Sequence, residues 1–104
     1  LEPEMKAVHP QAGFRIELLS SIPALDTGPE SEVVGLAQEL AGSNDIGKVS
    51  YGTEGSQFQR AGIPTVVCGP GSIEQAHKPD EYVEIAQLEA CARFIAGLIG
   101  ECER

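Results

Sequence analysis

The sequence predicts an α/β fold: a partial parallel sheet flanked by helices, with one further strand standing apart from it. Three observations predict this. Gly62-Ile63-Pro64-Thr65-Val66-Val67-Cys68 is a β-branched apolar run between punctuating Gly and Pro, which reads as a short strand buried on both faces. Ile85, Leu88, Ala92, Ile95 and Ile99 repeat at helical spacing. Phe14-Arg15-Ile16-Glu17-Leu18 alternates apolar and charged residues with period two, as a strand with one buried face does.

In chain order, Leu1 to Pro10 scatters Met5 and Val8 among polar residues between Pro3 and Pro10, so it reads as a helix remnant at most, and His9 has no partner motif. The alternating strand covers Phe14 to Leu19. Pro23 biases Ile22 away from helix and makes the stretch to Asp26 a linker. Thr27-Gly28-Pro29-Glu30 then opens a helix, because Thr or Gly can cap, Pro is tolerated in the first turn, and Glu30 and Glu32 suit the positive end of the dipole. Val33, Leu36, Ala37 and Leu40 form its apolar stripe, and Gly42 stops it.

Lys48 to Tyr51 is a short strand, and Thr53 caps a brief helix over Glu54 to Arg60 that Gly62 ends. Strand, helix and strand in such quick succession imply a parallel pair with a right-handed crossover. The last helix starts near Glu84 and runs to about Cys102, with Ala90, Cys91 and Ala96 permitting close packing.

Between the second strand and this helix lies Cys68-Gly69-Pro70-Gly71-Ser72-Ile73-Glu74-Gln75-Ala76-His77-Lys78-Pro79-Asp80-Glu81-Tyr82. Ligands bind beyond the carboxyl ends of strands in open α/β sheets, so a histidine delivered there is the first candidate for chemistry. A Ser72/His77/Asp80 triad fails, since triad members converge from separate elements. A phosphate cradle over Gly69 to Ser72 is weak, because Pro70 removes a donor and no Lys follows at the required spacing. Metal ligation by His77 fits best, with Asp80 or Glu81 able to accept the second ring N–H. Lys78, Asp80 and Glu81 are otherwise a solvated loop, and Glu54 a first-turn helix acid.

The run Ser50-Tyr51-Gly52-Thr53-Glu54-Gly55-Ser56, with Ala61 to Tyr82 behind it, resembles the carboxyl-terminal end of the M20 metallopeptidase family, near the members that deacylate N-acyl amino acids. The resemblance implies that residues 1–22 are the remnant of a lid or dimerisation domain and 23–104 the closing part of a zinc-peptidase-like catalytic domain. It implies that His77 is the last protein ligand of a centre of two zinc (or cobalt) ions. It also implies that Gly52, Thr53 and Glu54, with Gly69, Gly71 and Ser72, wall the substrate pocket, where a metal-bound water attacks the amide of a small N-acyl amino acid. The family's other ligands and its general base have no match here. The chain therefore reads as an enzyme fragment that is inactive alone and binds no metal tightly, and a start at Leu1 without Met agrees. The alternative is a stand-alone α/β binding module without catalysis.

Composition narrows the partners. With 16 acidic against 7 basic residues and a net charge of −9, nucleic acid and anionic membranes are excluded as partners. The absence of a long apolar run or a leader predicts a cytoplasmic protein. The unshared strand Phe14 to Leu19 predicts a homo-oligomer. Cys68, Cys91 and Cys102 form no C-x-x-C pair and read as buried, inert thiols.

Overall fold

A computed structural model describes every residue from Leu1 to Arg104. Four helices follow one another: α1 (Glu2–Val8), α2 (Glu32–Ala41), α3 (Gly55–Arg60) and α4 (Ile85–Cys102). The segments between them are turns and irregular chain.

Local chemistry accounts for each helix. In α1, Pro3 sits in the first turn, where its missing N–H costs nothing, and Glu2 and Glu4 lie at the positive end. Lys6 Nζ reaches the Glu2 carboxylate at 3.9 Å, one helical turn back. The stretch expected to be a remnant is thus a full helix, although it buries no residue. Helix α2 begins later than Thr27-Gly28-Pro29-Glu30 suggested, with Ser31 in extended conformation as its cap. Thr27 is occupied elsewhere, its hydroxyl donating to the Thr65 carbonyl oxygen. Gly42, at φ 64°, ends α2 in the left-handed region that glycine enters freely. Helix α4 runs as its periodicity predicts.

The parallel sheet is absent, and this overturns the α/β fold class. Lys48 to Tyr51 and Pro64 to Cys68 form no ladder with each other, and Phe14 to Leu19 pairs with nothing. The physical reason is that β-branching and period-two alternation report fitness for a pleated surface, while a strand exists only with a partner segment beside it. Ile46 and Gly47, just ahead of the first inner segment, border the same groove as Val66 to Cys68 of the second, with no backbone bond across it. The α/β fold assigned to the alternative, a stand-alone module, is corrected with it.

Without a sheet to cover, the helical stripes find little to pack on. Helices α2 and α4 do meet, and so closely that Leu40 Cδ2 lies 2.8 Å from where a Cβ on Gly97 would stand. Val34, Gly55 and Ser56 are the buried residues. Val34, at 2 % exposure, falls beside the predicted stripe of α2 and not on it. Ile85 on α4 is 75 % exposed, and Cys68 and Cys102 are exposed free thiols rather than buried ones. The radius of gyration is 21.1 Å, against about 13 Å for a compact domain of this length. No helix is long and apolar enough to cross a membrane.

Candidate functional site

The histidine loop is built by short-range hydrogen bonds. Gly71, at φ 96°, turns the chain where a side chain would be strained, and its N–H donates to Gln87 Oε1 on α4 at 3.3 Å. Ser72 Oγ accepts the Glu74 N–H at 3.2 Å, while the Ser72 and Ile73 carbonyl oxygens accept the N–H groups of Gln75 and Ala76. This tight coil delivers His77 in a left-handed conformation, φ 59°, and Asp80 follows at φ 56°. The His77 backbone N–H donates to Glu81 Oε2 at 3.3 Å. Glu81 thus closes the loop through the main chain, and no hydrogen bond joins the His77 ring to Asp80 or Glu81, contrary to the expected support of its second N–H.

The ring is held instead by Tyr51. The two ring centroids lie 4.6 Å apart with planes at 61°, an edge-to-face contact. Tyr51 directly precedes Gly52, so the contact brings the two halves of the family-like motif together. The sequence pattern places Tyr51 at the end of the expected strand Lys48 to Tyr51. An aromatic abutting the glycine of a loop motif was the available signal.

Thr53 and Glu54 lie at the start of α3. Thr53 Oγ1 accepts the Gly55 N–H at 3.3 Å, and Ser56 Oγ donates to the Thr53 carbonyl oxygen at 3.2 Å. Glu54 holds the cap position and makes no side-chain cap bond. Gly55 is packed tightly, since an added Cβ would stand 2.9 Å from Leu25 Cδ2 and 3.3 Å from Thr65 Cγ2. Gln59, which sequence reading passed over, fastens the linker to this helix. Its Oε1 accepts the Asp26 N–H at 3.2 Å, and its Nε2 donates to the Asp26 carbonyl oxygen at 2.8 Å and to Thr27 Oγ1 at 3.2 Å. The Asp26 carboxylate accepts from Lys48 Nζ at 2.8 Å, and that hydrogen bond, together with the ammonium charge, holds its pKa below the ordinary value.

Two grooves adjoin the loop. The larger, about 830 Å³, runs between α2 and α4 and includes Gly69 and Gly71 in its wall. The smaller, about 280 Å³, is lined by Gly71 and Ser72 together with Tyr82 and Gln87. Gly52, Thr53, Glu54 and His77 line neither. No three histidine, cysteine, aspartate or glutamate side chains converge to hold a metal ion. A hydrolytic zinc ion needs about three protein ligands, so the residues of this chain do not by themselves fit a metal centre.

Comparison with known proteins adds identity to this geometry. Residues 3–101 match the model of a peptidase family described as M20/M25/M40. The chain is 39 % identical over 88 residues to a protein named acetylornithine deacetylase from Buchnera aphidicola subsp. Acyrthosiphon pisum (strain Tuc7), covering 85 % of this chain and 23 % of that one. Proteins of the same name from Yersinia pseudotuberculosis serotype O:1b (strain IP 31758) and Pectobacterium atrosepticum are 37 % identical over 83 residues and 38 % identical over 84 residues, each match covering 80 % of this chain and 21 % of the relative. The chain thus spans less than a quarter of the length of these relatives. No solved structure matches it.

Proposed function

The chain belongs to peptidase family M20/M25/M40, and from that premise we propose that it is the carboxyl-terminal part of a metal-dependent amidohydrolase that removes the acyl group from an N-acyl amino acid. The observation that carries this reading is the match to relatives named acetylornithine deacetylase over 80–85 % of the chain. Hydrolysis of such a substrate breaks the amide C–N bond with water and yields a carboxylate and a free amine.

In this reading His77 contributes one imidazole to a zinc or cobalt centre whose other ligands come from chain beyond these residues. What this chain does itself is position that ring. Its main chain is pinned by Glu81 and its ring is braced by the edge-to-face contact with Tyr51. Gly69, Gly71 and Ser72 offer backbone without bulk beside the grooves, and Gly52, Thr53 and Glu54, which follow Tyr51 in the chain, complete the substrate pocket only with the rest of the enzyme. Residues 1–22 belong to a lid unit, residues 23–104 to the catalytic unit.

The test is to express the longer reading frame containing these residues and assay acyl release from N-acetylated amino acids with zinc or cobalt supplied. Turnover is expected, and His77→Ala should remove nearly all of kcat along with bound metal, because a ligand to the metal holds the reaction's water in place. Full activity in His77→Ala, or no hydrolysis of any N-acyl amino acid, sinks the assignment. The 104-residue chain alone is expected to hydrolyse none.

A further inference from the structure

Two of the three cysteines border one groove. Cys68 and Cys91 both line the space of about 830 Å³ between α2 and α4, and both are free thiols. Cys102 does not line it. It stands three helical turns beyond Cys91, about 16 Å further along the α4 axis. The half-buried residues of α4 are Ala90, Cys91, Phe94 and Gly97, so Cys91 stands on the face that the helix turns inward. Solvent still reaches it, and Cys68 is exposed.

A hydrogen bond sets the level of each thiol. The Gly71 N–H donates to Gln87 Oε1 at 3.3 Å, which ties the chain just after Cys68 to the α4 turn just before Cys91. Both walls of the groove lead away from that bond, one back to Val66 and the other forward to Ile95. Three residues back to Cys68 span at most about 10 Å. One turn forward to Cys91 covers about 6 Å, and residues four apart share a helix face. The two thiols therefore stand at nearly the same level on the two walls.

Such a pair selects its ligand by chemistry. Thiolate sulfur is soft and suits Cu(I), zinc or iron–sulfur clusters, whereas magnesium and calcium take oxygen. Zinc and iron–sulfur clusters need four ligands. No third histidine, cysteine, aspartate or glutamate converges with these two. Cu(I) is satisfied by two sulfurs on opposite sides of the ion. A disulfide would demand Cβ atoms within about 4.5 Å of each other. An ion between the sulfurs extends the reach by two metal–sulfur bonds, each about the 2.3 Å of a zinc thiolate, which suits an open groove. The surroundings agree: Val66, Ala90 and Phe94 make the walls apolar, and Arg93 also borders the groove. Two thiolates around one Cu(I) leave a single negative charge, which the guanidinium offsets. Asp45 is the other charged residue of the wall, and its oxygens are hard donors.

We propose that Cys68 and Cys91 form a two-coordinate site for a soft monovalent cation, Cu(I). On binding, each thiol releases its proton to water and each sulfur donates an electron pair to the ion, with no change of oxidation state. The proposal does not depend on the enzymatic reading, and neither cysteine is among the residues assigned to it.

Copper titration tests it. The reduced chain, held under nitrogen with ascorbate, is titrated with Cu(I) against bicinchoninate as the competing chelator. One ion per chain is expected, with two sulfur neighbours in the X-ray absorption of the loaded protein. Cys68→Ser and Cys91→Ser should each weaken binding by more than about a hundredfold, beyond what losing a supporting contact costs. Cys102→Ser should bind like the original. Cys68 is exposed, so Cys68→Ser should leave helical circular dichroism unchanged. Sedimentation of the loaded chain should match that of the metal-free chain. Affinity retained in Cys68→Ser overturns the proposal, as does an equal loss in Cys102→Ser. So does a copper-linked dimer, which places the two sulfurs on different copies, or a nitrogen neighbour in the absorption spectrum, which moves the ion to His9 or His77.

Discussion

The Tyr51 ring meets the His77 imidazole edge to face, with centroids 4.6 Å apart, although the two residues are far apart in the chain. An aromatic pair of this kind is worth about 0.5–1.5 kcal/mol beyond its buried area. It orients a ring that sits on a left-handed residue and has no other side-chain partner. Tyr51→Ala should release it, and the ring-proton resonances of His77 should lose their ring-current displacement. Resonances that do not move would show that the contact is not maintained in solution.

The φ of 59° at His77 has an energetic counterpart. A left-handed residue other than glycine carries about 1–2 kcal/mol of steric cost. His77→Gly should leave the loop at least as stable as the native residue, whereas His77→Val should open it. Amide exchange between Ser72 and Glu81 reads both, and slower exchange in the Val variant than in the Gly variant contradicts this account.

Two glycines on α4 should respond oppositely to substitution. A Cβ at Gly97 would lie 2.8 Å from Leu40 Cδ2, so Gly97→Val should wedge α2 from α4 at a cost of about 1–3 kcal/mol. Around Gly100 nothing lies within 4 Å. Gly100→Ala should therefore stabilise the helix by about 1 kcal/mol through propensity alone. Urea titration followed by circular dichroism measures both signs.

The Asp26–Lys48 pair sets a pH dependence. The Lys48 hydrogen bond and then its charge lower the Asp26 pKa below 3.8 in the folded chain. A depressed carboxylate contributes stability above its unfolded pKa and loses it as pH falls through the folded value. The loss therefore lies below pH 3.8. Both side chains are exposed, so salt should screen the effect. Carbon-13 titration of the Asp26 carboxyl should show a midpoint that rises when Lys48 is replaced by Met; a midpoint unchanged in Lys48→Met contradicts this account.

What was legible in the sequence was local. Ile85 to Ile99 declared α4 because a helix satisfies its own backbone, and Gly42 and Gly62 marked ends because their conformations are intrinsic to glycine. The three strands were misjudged for the converse reason. Val66, Val67, Ile16 and Val49 carry a genuine β preference, but each strand needs a neighbour that no local pattern guarantees. In the candidate site, the loop around His77 was placed by its motif. The bracing by Tyr51 and the fastening by Gln59 join residues distant in the chain, and a single sequence gives no sign of such meetings.

The Gln59 amide bears on how the molecule would transmit force. It grips Asp26 by both its N–H and its carbonyl oxygen, and it stands on the same short helix whose amino end carries Thr53 and Glu54. A tug on the amino-terminal arm is therefore stopped at Asp26 and handed to α3, sparing the histidine loop. Bending is left to the stretch from Arg15 to Ala24, whose backbone makes no hydrogen bonds, so that stretch is the pivot and Gln59 the anchor bolt. With Gln59→Ala the pivot would slide down the chain towards Thr27, and the arm's motion would reach the start of α2.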